Sequence, residues 1–234
     1  MTRQDVTRLF GLILAATPAF VSPAMAAAQT DRIRGTIESV DGSSMTVQTL
    51  RGDKVNVALT DATKYVTVVK SSLSNVAKGS FIGTATKGSG DFLVALEVVI
   101  FPPSLRGTGE GHYGWDTLPD TTIAGGSSVA SSMTNGTVEA ASSSGSETKV
   151  NSTMTNGDVQ SASEQGGAKR ITVTYAGGKQ TILVPPTAPI VAFQPTERSA
   201  VTVGAHVFIK APEDGGSATA DFVAVGKDGL TPPM

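Results

Sequence analysis

Glu110, His112 and Asp116 lie within one short stretch, RGTGEGHYGWD at Arg106 to Asp116, with Asp120 just beyond it. Two carboxylates and an imidazole are ligand types that divalent transition metals accept, so these three residues are the candidate metal site. A single histidine is a thin donor set, and the same stretch also reads as an ordered loop in which Tyr113 and Trp115 pin a glycine-rich chain against a barrel. Gly107, Gly109 and Gly111 do not have dinucleotide-fingerprint spacing, and no helix pattern follows them. The other histidine, His206, sits in a strand-like Ala205-His206-Val207, a place for a packed or surface side chain. Two histidines, no cysteine and no supported Ser/His/Asp order leave no catalytic constellation, so no enzyme activity and no cofactor are expected.

What must position these residues is a set of strands. In residues 32 to 101, Ile33, Gly35 and Ile37 alternate with polar neighbours, Asp41-Gly42 turns into Met45, Val47 and Thr49, and Arg51-Gly52-Asp53 turns into Val55, Val57 and Leu59. A strand over Lys64 to Val69 precedes a single helical turn with Leu73 and Val76, closed by Gly79. Ser80 to Thr86 and Phe92 to Phe101 then form a hairpin over KGSGD, with Phe92, Val94, Leu96, Val98 and Ile100 on one face.

Residues 154 to 226 repeat this order. At an offset of 125, Gly52, Lys54, Val76 and Gly79 fall on Gly177, Lys179, Val201 and Gly204. Five or six short strands and one helical turn in each copy predict an all-β protein of two tandem small OB-like β-barrels, with a small sandwich as the alternative. Phe81, Phe92 and Phe208 fall at core positions of this scheme.

The expected division is a signal peptide over 1–26, a first barrel over 27–102, a Gly-rich loop and low-complexity linker over 103–153, and a second barrel over 154–234. From Thr121 to Ala168, 28 of 48 residues are Ser, Thr, Gly or Asn, the composition of a flexible linker. Within it, SMTNGTVEAAS at Ser132 to Ser142 is echoed by TMTNGDVQSAS at Thr153 to Ser163, and either copy could supply the first strand of the second barrel.

Arg3 and Arg8 precede an apolar run from Leu9 to Val21 and then Ala24-Met25-Ala26, the layout of a secretory signal cleaved after Ala26. A run of about 13 residues is too short for a membrane anchor, which needs about 20. The mature chain would keep 208 residues and a net charge of -3. Periplasmic or secreted location follows, without stable membrane insertion. The absence of cysteine removes thiol chemistry and disulfides, and a net charge of -2 with 16% charged residues argues against a nucleic-acid partner, which needs a concentrated basic surface.

The units RGTIESVDGSSMTVQT and KSSLSNVAKGSFIGTA, the loop FPPSLRGTGEGHYGWD, the segment MTNGDV and the ending VAVGKDGLTPPM resemble an uncharacterised family of exported proteobacterial proteins. That family carries an OB-like domain of unknown function, and some members bear the label metal ABC transporter permease. The resemblance implies barrel-like units and a periplasmic location, and brings no catalytic residues. The expected function is a non-enzymatic binding or structural module for an unknown protein or small ligand. A soluble metal-binding or metal-transport accessory protein using Glu110, His112 and Asp116 is the alternative.

Overall fold

The computed structural model describes residues 30–143, 167–214 and 217–233. The expected signal peptide and its Ala26 cleavage point lie outside the described residues, as does the echo at 153–163. The fold is all-β. Its strands are β1 (Thr30–Asp41), β2 (Ser44–Thr49), β3 (Lys54–Ala58), β4 (Lys64–Lys70), β5 (Phe81–Ser89), β6 (Phe92–Ile100), β7 (Gly111–Pro119), β8 (Ser128–Ser143), β9 (Lys169–Tyr175), β10 (Gly178–Val184), β11 (Ile190–Pro195), β12 (His206–Asp214), β13 (Ser217–Thr219) and β14 (Phe222–Gly226). The two expected helical turns are single 3-10 turns, Leu73–Asn75 and Arg198–Ala200. Gly79 follows the first at φ +88, a left-handed conformation that glycine reaches without steric cost.

Strands β1, β2, β3, β13 and β12 close a five-stranded β-barrel, because β12 pairs back onto β1 from Thr30↔Pro212 to Thr36↔His206. A second cycle of pairings runs β5–β6–β10–β9–β8 and returns to β5. Strands β14, β4 and β11 join the two, since β14 pairs β12 and β11 pairs β6. Ile37, Met45, Val47, Val57, Ile209 and Val223 fill the first ring, and Ile82, Val98, Val138, Ile171, Val173 and Ile182 fill the second. A third apolar cluster, including Val66, Val68, Met133, Phe193 and Phe208, lies on the joining strands.

Three expectations change. First, each ring draws strands from both sides of the segment read as a linker, so the division into a 27–102 barrel and a 154–234 barrel does not follow the pairings. Second, residues 111–119 and 128–143 of that segment are strands β7 and β8. Composition missed them because serine and threonine tolerate strand geometry and a strand held on both edges needs few large apolar residues. β8 is such a strand, paired with β5 on one edge and with β7 and β9 on the other, and it contains the first echo, 132–142. Third, β6 is not one-faced. Leu93, Ala95, Leu96, Val98 and Val99 are all buried, as suits a strand flanked by β5, β10 and β11, while Phe92 at its start is 78% exposed rather than in the core.

Candidate binding cleft

Register across the joining strands builds a site that neither half of the sequence contains. Arg32 on β1 pairs with Lys210 on β12, Lys210 with Phe222 on β14, and Phe222 with Lys64 on β4, so these four stand abreast on neighbouring strands. Strands lie about 4.8 Å apart, which sets Lys210 and Lys64 roughly 10 Å apart with Phe222 between them. Two residues along each strand, on the same face, come Arg34, Phe208, Ala224 and Val66. Val68 and its partner Phe193 on β11 follow. A cationic row thus opens onto an apolar floor.

That face forms one side of a cavity of about 620 Å³, lined also by Phe101, Leu105, Tyr113, Trp115, Met133 and Asn135. The floor is continuously aromatic: Phe101 meets Phe81 at 5.5 Å and Phe193 at 5.2 Å, and Phe193 meets Phe222 at 5.6 Å. Edge-to-face and tilted contacts at these spacings contribute beyond area burial. Opposite stands β7, whose only strand pairing among the described residues is with β8. Its register shifts between Gly114 and Thr117, a bulge that re-aims Trp115 and Asp116.

Asp116 binds β7 to the first ring. Its two oxygens accept from Arg32 Nη1 at 3.0 Å and Arg34 Nη2 at 2.7 Å, and the Arg32 guanidinium lies 3.7 Å over the Trp115 ring. Arg32 and Arg34 can share one carboxylate because alternate residues of a strand point to the same side. Tyr113 donates to Gly109 O at 3.2 Å and so ties the glycine-rich turn before β7 to that strand. Gly109 is needed there: its φ is +59, and a Cβ would come within 2.9 Å of Asn135 Nδ2. Burial raises the Tyr113 hydroxyl pKa above its ordinary value, against the opposing pull of the Arg32 charge.

The three candidate metal ligands are not brought together. Glu110 accepts from the Ala176 amide at 3.0 Å, His112 shares a hydrogen bond of 2.8 Å with Thr134 Oγ1 and stacks on Tyr175, and Asp116 holds the two arginines. His112 and Asp116 are four strand residues apart, roughly 13 Å at full extension. Among the described residues no group of three or more His, Asp or Glu is placed to hold a metal ion. Asp120 lies elsewhere, bonded to Lys87 Nζ at 2.6 Å and to Thr122. Burial acts to raise its pKa, but the hydrogen bonds from Lys87 and Thr122 and the Lys87 charge outweigh that and hold it below its ordinary value. His206 shares a hydrogen bond of 3.0 Å with Thr36 Oγ1 at the start of β12, a structural position.

Two cations in the row have no such engagement. Among the described residues, Lys64 and Lys210 have no side-chain hydrogen-bond or ion-pair partner. Trp115 Nε1 is buried without an acceptor among the described residues. Sequence reasoning missed Lys64, Lys210 and Phe222. The alternations Lys64-Val66-Val68, Phe208-Lys210 and Phe222-Ala224 are visible signals, but their common register is not.

Comparison with protein-family models, with curated proteins and with solved structures gives no match to this chain. No helix of the described residues is long and apolar enough to cross a membrane. The chain is an all-β protein with a closed five-stranded barrel and an aromatic, cation-edged cleft.

Proposed function

We propose that the protein is an exported, non-enzymatic binding module of two small OB-like barrels related by internal duplication, which holds a small amphipathic anion in the cleft between them. One observation carries the binding reading: the Arg32–Lys210–Phe222–Lys64 row, whose two lysines have no side-chain partner among the described residues, stands at the edge of an aromatic floor. An apolar or aryl body fits the floor, and a carboxylate or phosphate fits between the ammonium groups. An acceptor on the same ligand would satisfy Trp115 Nε1–H, whose burial unpaired costs about 1–3 kcal/mol. A cavity of this size takes one small molecule, in keeping with a partner that is not a nucleic acid.

Matching strand order supports the duplication. The β5–β8 pairing corresponds to β12–β1, and β10–β6 corresponds to β3–β13. Export rests on the sequence of residues 1–26. The non-enzymatic reading rests on the engagement of Glu110, His112 and Asp116 in structural bonds.

Trp115 is the sole tryptophan and lines the cleft, so its fluorescence reports occupancy. Titration with decanoate is expected to shift its emission saturably, decyltrimethylammonium to do so at least ~10-fold more weakly, and a K64Q/K210Q variant to lose ~10-fold in decanoate affinity, the equivalent of about 1.4 kcal/mol. Equal binding of anion and cation, or an unchanged double variant, overturns the proposal.

A further inference from the structure

Asp221 stands at the mouth of the cleft, between the two lysines of the cation row, and lines the same cavity. Its backbone is locked there: the Lys64 amide donates to Asp221 O at 2.9 Å, and the Asp221 amide donates to Lys210 O at 2.9 Å. The residue before it is held as firmly. Ala220 is buried, its amide donates to Ala58 O at 2.9 Å, and its carbonyl accepts from the buried Thr63 hydroxyl at 2.7 Å. A bend anchored on both sides thus presents Asp221 one residue before Phe222 opens β14, and leaves it exposed.

The protein itself does not use this charge. Among the described residues the Asp221 carboxylate has no hydrogen bond or ion pair, although Lys64 and Lys210 beside it also have none. One step of 3.8 Å along the chain and a strand spacing of about 4.8 Å put its Cα about 6 Å from theirs. Asp221 is also the only carboxylate among the described residues that line the cavity. A simple anion between the lysines would be attracted by two ammonium groups and repelled by Asp221 at nearly the same range. A head carrying a positive charge beside its negative one turns that repulsion into attraction.

We infer that the ligand of the cleft is zwitterionic at its head, an α-amino acid group on an apolar body. Its carboxylate lies between Lys64 and Lys210, its ammonium on Asp221, and its body along Phe222, Phe193 and Phe101. This rests on the anion reading of the cleft and adds Asp221 as the residue that selects among anions. The two charges must sit side by side, because Asp221 adjoins the lysines. An ammonium farther along the ligand would lie on the floor of Phe101, Met133, Phe193 and Phe208, where no carboxylate receives it.

The test compares decanoate with two isomers that differ only in where the ammonium sits, 2-aminodecanoate and 10-aminodecanoate, by Trp115 emission at neutral pH. Wild type is expected to bind 2-aminodecanoate ~3-fold more tightly than decanoate, the scale of one exposed ion pair, and 10-aminodecanoate at least ~10-fold more weakly than its isomer. Asp221→Asn should reverse the order, strengthening decanoate ~2-fold by removing the repulsion and weakening 2-aminodecanoate at least ~3-fold. Because the variant still binds decanoate, that weakening is not a failure to fold. The inference is overturned if wild type binds decanoate as tightly as 2-aminodecanoate, or if the two isomers bind alike. It is overturned too if D221N moves decanoate and 2-aminodecanoate in the same direction, the result expected of a carboxylate that only neutralises the lysines. Decanoate binding that is absent, or indifferent to K64Q/K210Q, removes the anion reading and this inference with it. Lysine-dependent decanoate binding without a preference for 2-aminodecanoate removes the zwitterion alone.

Discussion

Replacing Asp116 by asparagine keeps its shape and removes the charge that holds β7 against the first ring. The carboxylate receives two charge-assisted hydrogen bonds from arginines whose side chains are 26% and 21% exposed, and its own is 29% exposed. Fully buried, two such bonds would contribute about 3–6 kcal/mol; an exposed pair contributes about 0.2–1 kcal/mol each. Partial exposure places the loss near ~2 kcal/mol, including the repulsion between Arg32 and Arg34 left side by side. For a chain of this length that lowers Tm by about 4–8 °C. Because solvent reaches the cluster, the difference between wild type and D116N should shrink in 1 M NaCl, where charges are screened within about 3 Å. Freed from its tether, Arg32 would also leave the Trp115 ring it now covers at 3.7 Å, and the indole emission should move to the red. Scanning calorimetry and fluorescence at two salt concentrations make the measurement. A Tm change below ~1 °C with unaltered emission would show that pairing with β8 alone fixes β7, and would refute the clamp.

Asp120→Asn removes the carboxylate from Lys87 and should cost about 2 kcal/mol at neutral pH, the scale of a hydrogen bond to a charged group. Because the folded-state pKa of Asp120 is lowered, its contribution is complete above the unfolded value near ~3.9 and fades as pH falls through the folded value; chemical denaturation at pH 7 and pH 2.5 should therefore show the gap between wild type and D120N closing in acid. Gly35→Ala is expected to cost about 3 kcal/mol or abolish folding, since its Cβ would lie 2.0 Å from Gln48 O on the paired strand, whereas Gly42→Ala, at φ +44 with nothing within 4 Å, should cost only about 1 kcal/mol; equal Tm values for the two would show that the β1–β2 ladder gives way freely.

Strand existence was legible because alternation is a local signal: Ile33 and Ile37, Met45 and Val47, and Val207 and Ile209 all point into the first ring as their spacing implies. Even the 3-10 turns at Leu73–Asn75 and Arg198–Ala200 fall where the sequence placed them. Ring membership was not legible, because it depends on pairings such as Ile33↔Ile209 and Ala85↔Met133, far apart in the chain, which no local pattern encodes. β8 was hidden for a different reason. Thr134, Asn135 and Gly136 are buried through backbone pairing on two edges, and a composition test counts them as linker residues. The site followed the same rule: Trp115 and Asp116 stood out by type, but their partners Arg32 and Arg34 lie more than 80 residues away.

The lengths of the ladders say which parts of the cleft are preformed. Among the described residues, each ring has one parallel contact of two residue pairs, Ala218↔Val57 with Thr219↔Ala58 in one, and Ile182↔Leu93 with Leu183↔Val94 in the other. Parallel pairs are the weaker kind per residue, so apolar packing inside each ring, not hydrogen bonding, must hold these seams. The floor of the cleft is made differently. β14 and β4 share five pairs and β4 and β11 another five, carrying Phe222, Val66, Val68 and Phe193 on one continuous surface. A ligand therefore meets a fixed aromatic floor and lysines carried on fixed strands, while β7, paired along one edge among the described residues and tethered through Asp116, is the wall with freedom to adjust. Affinity should then respond to Asp116 through the position of Trp115, and to Lys64 and Lys210 through charge; salt weakens both, whereas an uncharged ligand such as decanol separates them, because only the second effect involves the ligand's own charge.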